Sequence, residues 1–262
     1  MKALALLYHD VVQAGDWDSS GFPGPAAASY KLERREFERH LAAMSAAVPQ
    51  RRTVQALASA AANGPPPVLL TFDDGGASAH DCVADLLEAW GWRGHFLITT
   101  DYLDTAGFLT RIQVRELAAR GHVIGSHSCS HLTRMGGRSP ARLREEWARS
   151  TGVLADLVGE PVRVGSVPFG AFSPRVAAAA AAAGMTTLFT SEPTMRCGVV
   201  DGCIVVGRYT LRRGTAARVA ARLASAARGV RLRQLWFWNL KKVAKAIGGD
   251  AYLTVRDALF KR

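Results

Sequence analysis

Short apolar runs alternate with amphipathic stretches along the first 210 residues. Apolar runs suited to buried strands lie at Ala3–Tyr8, Val68–Phe72, His95–Thr99, His122–Gly125, Met185–Phe189 and Cys203–Val206. Apolar residues at helical spacing, or strong helix formers, mark Glu33–Ala46, Ser78–Trp90, Gln113–Arg120 and Ala177–Ala183. Two Ser-Pro pairs, Ser139-Pro140 and Ser173-Pro174, are typical helix starts. Strands that alternate with helices predict a parallel α/β sheet or barrel.

The last fifth of the chain has a different pattern. Two basic amphipathic helices are predicted there, Thr215–Arg228 and Val230–Ile247. One side of the second helix carries Leu232, Leu235, Trp236, Leu240, Val243 and Ile247. Residues 205–262 contain 14 of the 33 Lys and Arg residues but only 2 of the 22 Asp and Glu residues. We therefore predict two units, an α/β body over residues 1–212 and a basic helical extension over 213–262.

Composition narrows the class of protein. The chain has 262 residues, 48% of them hydrophobic and 21% charged, which is ordinary for a globular protein with a sizeable core. Its four cysteines form no Cys-x-x-Cys pair, which favours reduced thiols, although Cys197 and Cys203 are close enough in sequence to bridge across a turn. The apolar run near Met1 is too short for a signal peptide, and no stretch of about 18 apolar residues could span a membrane. These features predict a cytoplasmic protein.

Candidate chemistry follows two of the predicted strands. Asp73 and Asp74 come directly after Val68–Phe72, and His127 and His131 follow His122–Gly125. Functional groups gather at the carboxyl ends of strands in parallel α/β folds. Histidines four apart lie on one face of a helical turn, so both imidazoles can reach one ion. Two imidazoles and a carboxylate leave open positions on a divalent metal, as a catalytic site requires. Taken alone, the two aspartates could also cap a helix.

The sequence around these residues resembles the polysaccharide deacetylase family, the carbohydrate esterases that share the chitooligosaccharide deacetylase homology domain. Thr71–Gly75 reads TFDDG and resembles the first motif of the family, and His127–His131 reads HSCSH and resembles its second. The opening Leu6–Val11, LLYHDV, is similar to the first strand of many members. The resemblance covers roughly residues 1–210 and implies a distorted (β/α)7 barrel and a divalent metal, zinc in most cases.

Motif position also implies roles for single residues. Asp74, His127 and His131 correspond to the metal ligands and Asp73 to the general base. The third motif ends here in Pro-Phe-Gly, and the backbone N–H of Phe169 is by resemblance a donor to the oxyanion.

Two departures from the family pattern change this assignment. The third motif has Ser166 where the family has an arginine, so another cation must position the base. No histidine follows His131, although the family uses a late histidine to protonate the leaving amine, and the matching strand offers Arg208 instead. His9 ends the first strand on the same side as the metal residues and is our candidate for the general acid. A structural histidine bonded to backbone is an equal alternative.

The resemblance implies hydrolysis of the acetamide of an N-acetylated amino sugar. A basic amphipathic extension suggests that the glycan is lipid-linked or nascent and that the extension meets an anionic membrane, at the inner face of the cytoplasmic membrane. The extension could instead pack against the barrel with its charge solvated, and nucleic acid is the least favoured partner because no reading motif is present. Two other functions stay open, a metal-containing glycan-binding pseudo-enzyme and a hydrolase of a formyl or cyclic amide.

Overall fold

A computed structural model describes residues 1–48, 52–59, 64–240 and 242. The strands in these ranges are β1 (Leu4–Tyr8), β2 (Val11–Val12), β3 (Leu32–Glu33), β4 (Val68–Phe72), β5 (Gly94–Ile98), β6 (Val123–Ser126), β7 (Val164–Ser166), β8 (Thr187–Phe189), β9 (Gly198–Val200), β10 (Cys203–Val206) and β11 (Arg208–Thr210). The α-helices are α1 (Pro25–Ala28), α2 (Arg34–Ala47), α3 (Gln55–Ser59), α4 (Ala84–Ala89), α5 (Arg111–Ala119), α6 (Pro140–Val158), α7 (Pro174–Ala182) and α8 (Ala217–Ala224). A π-helical turn, Ala79–Val83, leads into α4, and residues 228–240 are also helical.

One curled sheet dominates the part of the chain that the structure describes. Its strand order is β11-β1-β4-β5-β6-β7-β8-β10-β9, and β9 is antiparallel to β10 while the other neighbours are parallel. β10 pairs with β8, whereas β11 pairs with β1 on the far side of the sheet. The predicted α/β fold is confirmed as a curled half-barrel. The single segment Cys203–Thr210 contributes a strand to each side of it. The short strands β7 and β9 were missing from the predicted set.

Gly207 is the residue at which this segment changes partners. A Cβ at this position would lie 2.4 Å from the carbonyl oxygen of Glu192 and 2.6 Å from Cγ2 of Thr194. No side chain fits there, so the close approach requires glycine. The same Glu192 carbonyl accepts the N–H of Arg208 at 2.9 Å. This crossing therefore fixes the position at which β11 begins.

Both predicted Ser-Pro helix starts are confirmed. Ser139 Oγ accepts the N–H of Arg142 at the start of α6, and Ser173 Oγ accepts the N–H of Val176 at the start of α7. In each case the hydroxyl satisfies an amide that the first turn leaves unpaired, and the proline follows at a position that needs no donor. These caps fix the entry of the two helices that follow β6 and β7.

The largest core cluster joins the sheet to the surrounding helices. It contains Leu4, Leu6 and Tyr8 of β1 together with residues of α2, α4, α5 and α8. Leu223 of α8 is fully buried in it, so the first helix after residue 212 packs against the barrel. The boundary between residues 212 and 213 stays a prediction. The second predicted tail helix lies within the described residues only to residue 240, apart from Lys242; Lys241 and residues 243–262 lie outside them.

None of the described helices is long and apolar enough to cross a membrane. The four cysteines all have free thiols, including Cys197 and Cys203.

Candidate metal centre

The fold brings the three predicted metal ligands together. Asp74 follows β4, and His127 and His131 follow β6, two strands away in the sheet. Oδ1 of Asp74 lies 3.4 Å from Nε2 of His127 and 3.3 Å from Nε2 of His131. One ligand atom from each residue lies within 4.8 Å of the other two. A carboxylate and two imidazoles at this spacing fit one divalent ion, and the set leaves further coordination positions open.

The two histidines do not converge through a helical turn, as the sequence spacing predicted. Residues 127–131 are non-helical, and both Ser128 (φ 63°) and His131 (φ 54°) adopt left-handed backbone conformations. Asp74 is left-handed as well, with φ 78°. Non-glycine residues enter this region at an energetic cost, which surrounding contacts must offset. The prediction that His127 and His131 lie close together was right, but the helical turn given as its reason was wrong.

Glu146 of α6 holds the loop between the two histidines. Its carboxylate is fully buried, and Oε2 accepts the backbone N–H groups of Cys129 at 3.1 Å and Ser130 at 3.0 Å. Oε1 accepts the Ser130 hydroxyl at 2.8 Å and pairs with Arg142 at 2.7 Å. Burial raises the pKa of Glu146, but the bonds from Ser130, the Cys129 thiol and the charge of Arg142 outweigh it and leave the pKa below its usual value. No local pattern marks this contact, because Glu146 lies 15 positions after His131.

Asp73 is buried and held by an arginine from the last strand of the sheet. Arg208 donates from Nη1 to Oδ1 and from Nη2 to Oδ2, each at 2.7 Å, and its Nε donates to the Thr190 carbonyl at 2.9 Å. Burial raises the pKa of Asp73, yet the charge of Arg208 overcomes it and the pKa lies below the usual value. Arg208 therefore supplies the cation that the third motif lacks. Sequence reasoning noticed Arg208 on this strand but did not connect it to Asp73.

Ser166 links the base candidate to a metal ligand. Its hydroxyl donates to Oδ1 of Asp73 at 3.0 Å and lies 2.5 Å from Nδ1 of His127. A partner on the second ring nitrogen fixes the orientation of a ligating histidine. Burial lowers the pKa of His127 to about 4, so the ring is neutral near pH 7 and its Nε2 lone pair is free for a metal. Ser166, which stands where the family has an arginine, thus connects His127 to Asp73.

His9 lies at the carboxyl end of β1, beside the aspartates. β1 is paired with β4, which leads into Asp73 and Asp74, and Tyr8 lies opposite Phe72 in this pairing. The imidazole packs on Tyr30, with ring centroids 4.8 Å apart, and its buried Nδ1 has no hydrogen-bond partner among the described residues. At Nδ1, His9 makes no hydrogen bond to the backbone of the described residues, so this atom does not support the alternative of a structural histidine.

Phe169 lies against the metal centre in a left-handed conformation. Its φ is 55° and its side chain is 58% exposed, while the ring lies 4.5 Å from the His131 ring. Phe22 stacks on His131 as well, with centroids 4.6 Å apart. Two aromatic rings therefore restrict the orientation of His131. The oxyanion role of the Phe169 N–H stays a prediction.

Lys31 fixes the loop that carries Phe22, a contact that the sequence did not reveal. The buried ammonium donates to the carbonyls of Trp17 at 2.6 Å, Ser20 at 2.6 Å and Phe22 at 2.7 Å. All three donors of the lysine are used within the protein. Buried lysines are rare unless they are paired in this way. The positive charge is therefore structural and shapes one wall of the site.

The fold and this site match known proteins. Residues 60–188 match the polysaccharide deacetylase family model. In Bacillus subtilis (strain 168), the protein named "Putative polysaccharide deacetylase YxkH" is 26% identical over 125 residues, which cover 48% of this chain and 44% of that protein. The chain spans less than half the length of the curated relatives that it matches.

Solved structures share the same architecture. The deacetylase PplD of Streptococcus pyogenes, in complex with acetate, superposes with a TM-score of 0.68 at 16% identity, covering 83% of this chain and 95% of that one. IcaB from Ammonifex degensii gives a TM-score of 0.68 at 23% identity, covering 86% and 97%. At these identities the superpositions establish the fold. Together with the motifs at Asp73–Asp74 and His127–His131, the family match identifies residues 60–188 as a polysaccharide deacetylase domain.

Proposed function

We propose that this protein is a metal-dependent N-deacetylase that hydrolyses the acetamide of an N-acetylated amino sugar. The observation that carries the proposal is the convergence of Asp74, His127 and His131 with Asp73 buried beside them. Their donor set suits zinc, which binds imidazole and carboxylate and keeps open positions in catalytic sites. When bound there, the metal would polarise the acetyl carbonyl and lower the pKa of water.

The protein groups around that ion have separate tasks in this proposal. Asp73 accepts the proton of the attacking water, and Arg208 keeps its carboxylate ionised and oriented for that step. The backbone N–H of Phe169 donates to the oxyanion that develops on the acetyl oxygen. His9 protonates the departing amine, since an amine anion would be a poor leaving group. These roles act on three different atoms, namely the attacking water oxygen, the acetyl oxygen and the leaving nitrogen, and the residues come from four separate strand ends or loops.

The experiment that tests this function is acetate release from a panel of N-acetyl sugars. Release should disappear after chelation, return on addition of zinc, and be lost in Asp73→Asn. A protein that binds zinc and glycan yet releases no acetate would be the pseudo-enzyme of our second hypothesis. If the protein instead releases formate from a formyl amide or opens a cyclic amide, and releases no acetate, the third hypothesis, a hydrolase of a different amide, would hold.

We further propose that the glycan is lipid-linked or nascent and that the extension meets an anionic membrane surface. In the described helix over residues 228–240, Leu232, Trp236 and Leu240 are 51–61% exposed and recur at every fourth position. Trp238, in contrast, packs towards the barrel, because a Cβ on Gly170 would lie 3.2 Å from its ring. An exposed apolar stripe on a basic helix suits the interface of anionic lipid. The inner face of the cytoplasmic membrane is the location that this proposal assumes.

Flotation with anionic and neutral liposomes tests this second proposal. Binding should require anionic lipid, weaken with salt, and be lost when Leu232, Trp236 and Leu240 are changed together to serine. Serine at Ile112, an exposed apolar residue of α5, is the matched control and should leave flotation unchanged. Equal binding of the triple variant would exclude this surface, and equal turnover of soluble and lipid-linked sugars would exclude the lipid-linked substrate.

A further inference from the structure

Two consecutive arginines follow β11, and each lies over an aromatic ring. The guanidinium carbon of Arg212 is 4.1 Å from the Tyr30 ring centroid, and that of Arg213 is 4.3 Å from the Trp17 centroid. Within the described ranges, neither guanidinium has a carboxylate within 4.0 Å. Arg208, four residues earlier, is paired with Asp73. The two positive charges are therefore held in place but not neutralised.

These arginines lie beside the proposed reacting centre. β11 is the neighbour of β1 in the sheet, so the residues after Thr210 emerge next to His9. Tyr30 connects the two, because its ring contacts His9 at 4.8 Å and its hydroxyl accepts a hydrogen bond from Nη2 of Arg212. His9 is the group that we assign to the leaving amine. The sugar that carries this amine would therefore extend towards Tyr30 and Arg212.

Stacking on an aromatic ring orders an arginine without consuming its charge. The flexible side chain loses part of its rotamer freedom before a ligand arrives, so less entropy is lost on binding. A guanidinium is planar and offers paired N–H donors that match two oxygens of a phosphate. Among the described residues, the Arg212 side chain donates to Tyr30 and the Arg213 side chain donates to none. Lys31, in contrast, is fully engaged and offers nothing to a ligand.

We propose that Arg212 and Arg213 bind a phosphate group on the substrate, attached to the acetamido sugar or to its carrier. This inference rests on the proposed function and defines its substrate class as a phosphorylated, anionic glycan. A neutral oligosaccharide would leave both guanidinium groups unused. No covalent step is involved, because the phosphate serves only to hold the sugar in the orientation that the deacetylation needs.

Binding and turnover of two related sugars test this site. Zinc-loaded protein is titrated calorimetrically with N-acetylglucosamine 1-phosphate and with methyl N-acetylglucosaminide, and acetate release is measured for both. The phosphorylated sugar should bind at least tenfold more tightly. Changing Arg212 and Arg213 together to glutamine should remove most of that preference, whereas Arg218→Gln, at an exposed arginine of α8, should retain it.

The outcomes separate this inference from the proposed function. Equal affinity for the two sugars, or a preference that survives the double substitution, would overturn the phosphate site. No acetate release despite a preference that depends on the two arginines would overturn the deacetylase proposal and leave the phosphate site standing. A short prenyl phosphate ester of the same sugar distinguishes a lipid carrier from a soluble sugar phosphate. If the carrier is lipid, the ester binds more tightly still, and the added affinity is lost in the triple variant of Leu232, Trp236 and Leu240.

Discussion

Arg208 and Asp73 meet in two parallel hydrogen bonds of 2.7 Å, although 135 positions separate them in the chain. Both side chains are almost fully buried, so neither charge is stabilised by bulk water. Removal of one partner from such a pair leaves an uncompensated buried charge, which is far more costly than loss of an exposed pair. The candidate metal centre therefore depends on a residue of β11, the edge strand that lies two places from β4 in the sheet.

Arg208→Gln should lower the free energy of unfolding by about 3–5 kcal/mol. Asp73 then loses the charge that chiefly opposes the effect of burial on its pKa, so the pKa should rise and acetate release should also fall. Urea denaturation at pH 7 measures the stability. Arg149→Gln is the matched control, because Arg149 makes a similar two-bond pair with Asp101 at the surface and should cost at most about 1 kcal/mol. Equal losses for the two variants would contradict the assignment.

Ser166→Ala should weaken zinc binding by about 10–100-fold, the usual effect when the partner of a ligating histidine is removed. The hydroxyl orients His127 through Nδ1 and contacts Asp73 at the same time. Competition with a chromogenic chelator measures the affinity directly. Ser173→Ala removes the side-chain cap of α7, which bonds Val176, and should leave zinc affinity unchanged. An unaltered affinity in Ser166→Ala would show that Asp74, His127 and His131 hold their geometry without it.

Glu146→Gln should also weaken zinc binding, because an amide can accept fewer of the five donors that converge on this carboxylate. The loop over residues 127–131 would then lose contacts that offset its left-handed backbone conformations. Glu145→Gln is the control on the same helix, since Glu145 is exposed and pairs only with Arg142. The same chelator competition serves here, and a loss that is equal in the two variants would exclude a specific role for Glu146.

His9→Ala should slow acetamide hydrolysis by about 10²–10⁴-fold if the imidazole protonates the leaving amine. With 4-nitrophenyl acetate the loss should be much smaller, because a nitrophenolate departs without a proton. Asp73→Asn should slow both reactions, since both need an activated water. Rates of wild type, His9→Ala and Asp73→Asn on the acetamide and on 4-nitrophenyl acetate, measured in parallel, test the role of His9 as the acid. Equal slowing of ester and amide hydrolysis by His9→Ala would argue for a structural role instead.

His95 should make the fold sensitive to mild acid. Burial lowers its pKa to about 4 in the folded protein, against about 6.5 in the unfolded chain. Between these values the unfolded state binds a proton that the folded state does not, so stability is retained above pH 6.5 and lost as the pH falls towards 4. The loss attributable to His95 approaches about 1.4 kcal/mol per pH unit in this window. Urea titrations at several pH values should show a shallower decline for His95→Gln than for wild type.

Much of the fold was predictable because its signals are local. Apolar runs located the long strands, and the Ser139 and Ser173 caps located two helix starts. The three-residue strands β7 and β9 were missed because a run that short has no periodicity to detect. Their pairing comes from neighbours that are distant in sequence.

The residues of the candidate site also fall into two groups, those that a local sequence pattern marks and those that it does not. Motif spacing identified Asp74, His127 and His131, since each stands next to a recognisable strand. Arg208, Glu146 and Lys31 act on the site through contacts that span 9 residues or more, and nothing in their immediate sequence marks them. The substitution at Ser166 was visible as a departure, but its consequence, an arginine supplied from β11, required the curled sheet. Long-range compensation of this kind is a property of the folded chain.

The adjacency of the first and last parallel strands has a consequence for biosynthesis. A ribosome that has completed the two histidine ligands has not yet made Arg208, and the tunnel conceals the most recent residues as well. Until β11 emerges and docks beside β1, the nascent chain carries an acidic group at Asp73 with no positive partner and a sheet with an unpaired edge. The candidate site is therefore completed late in synthesis, only after β11 has been made and has paired with β1.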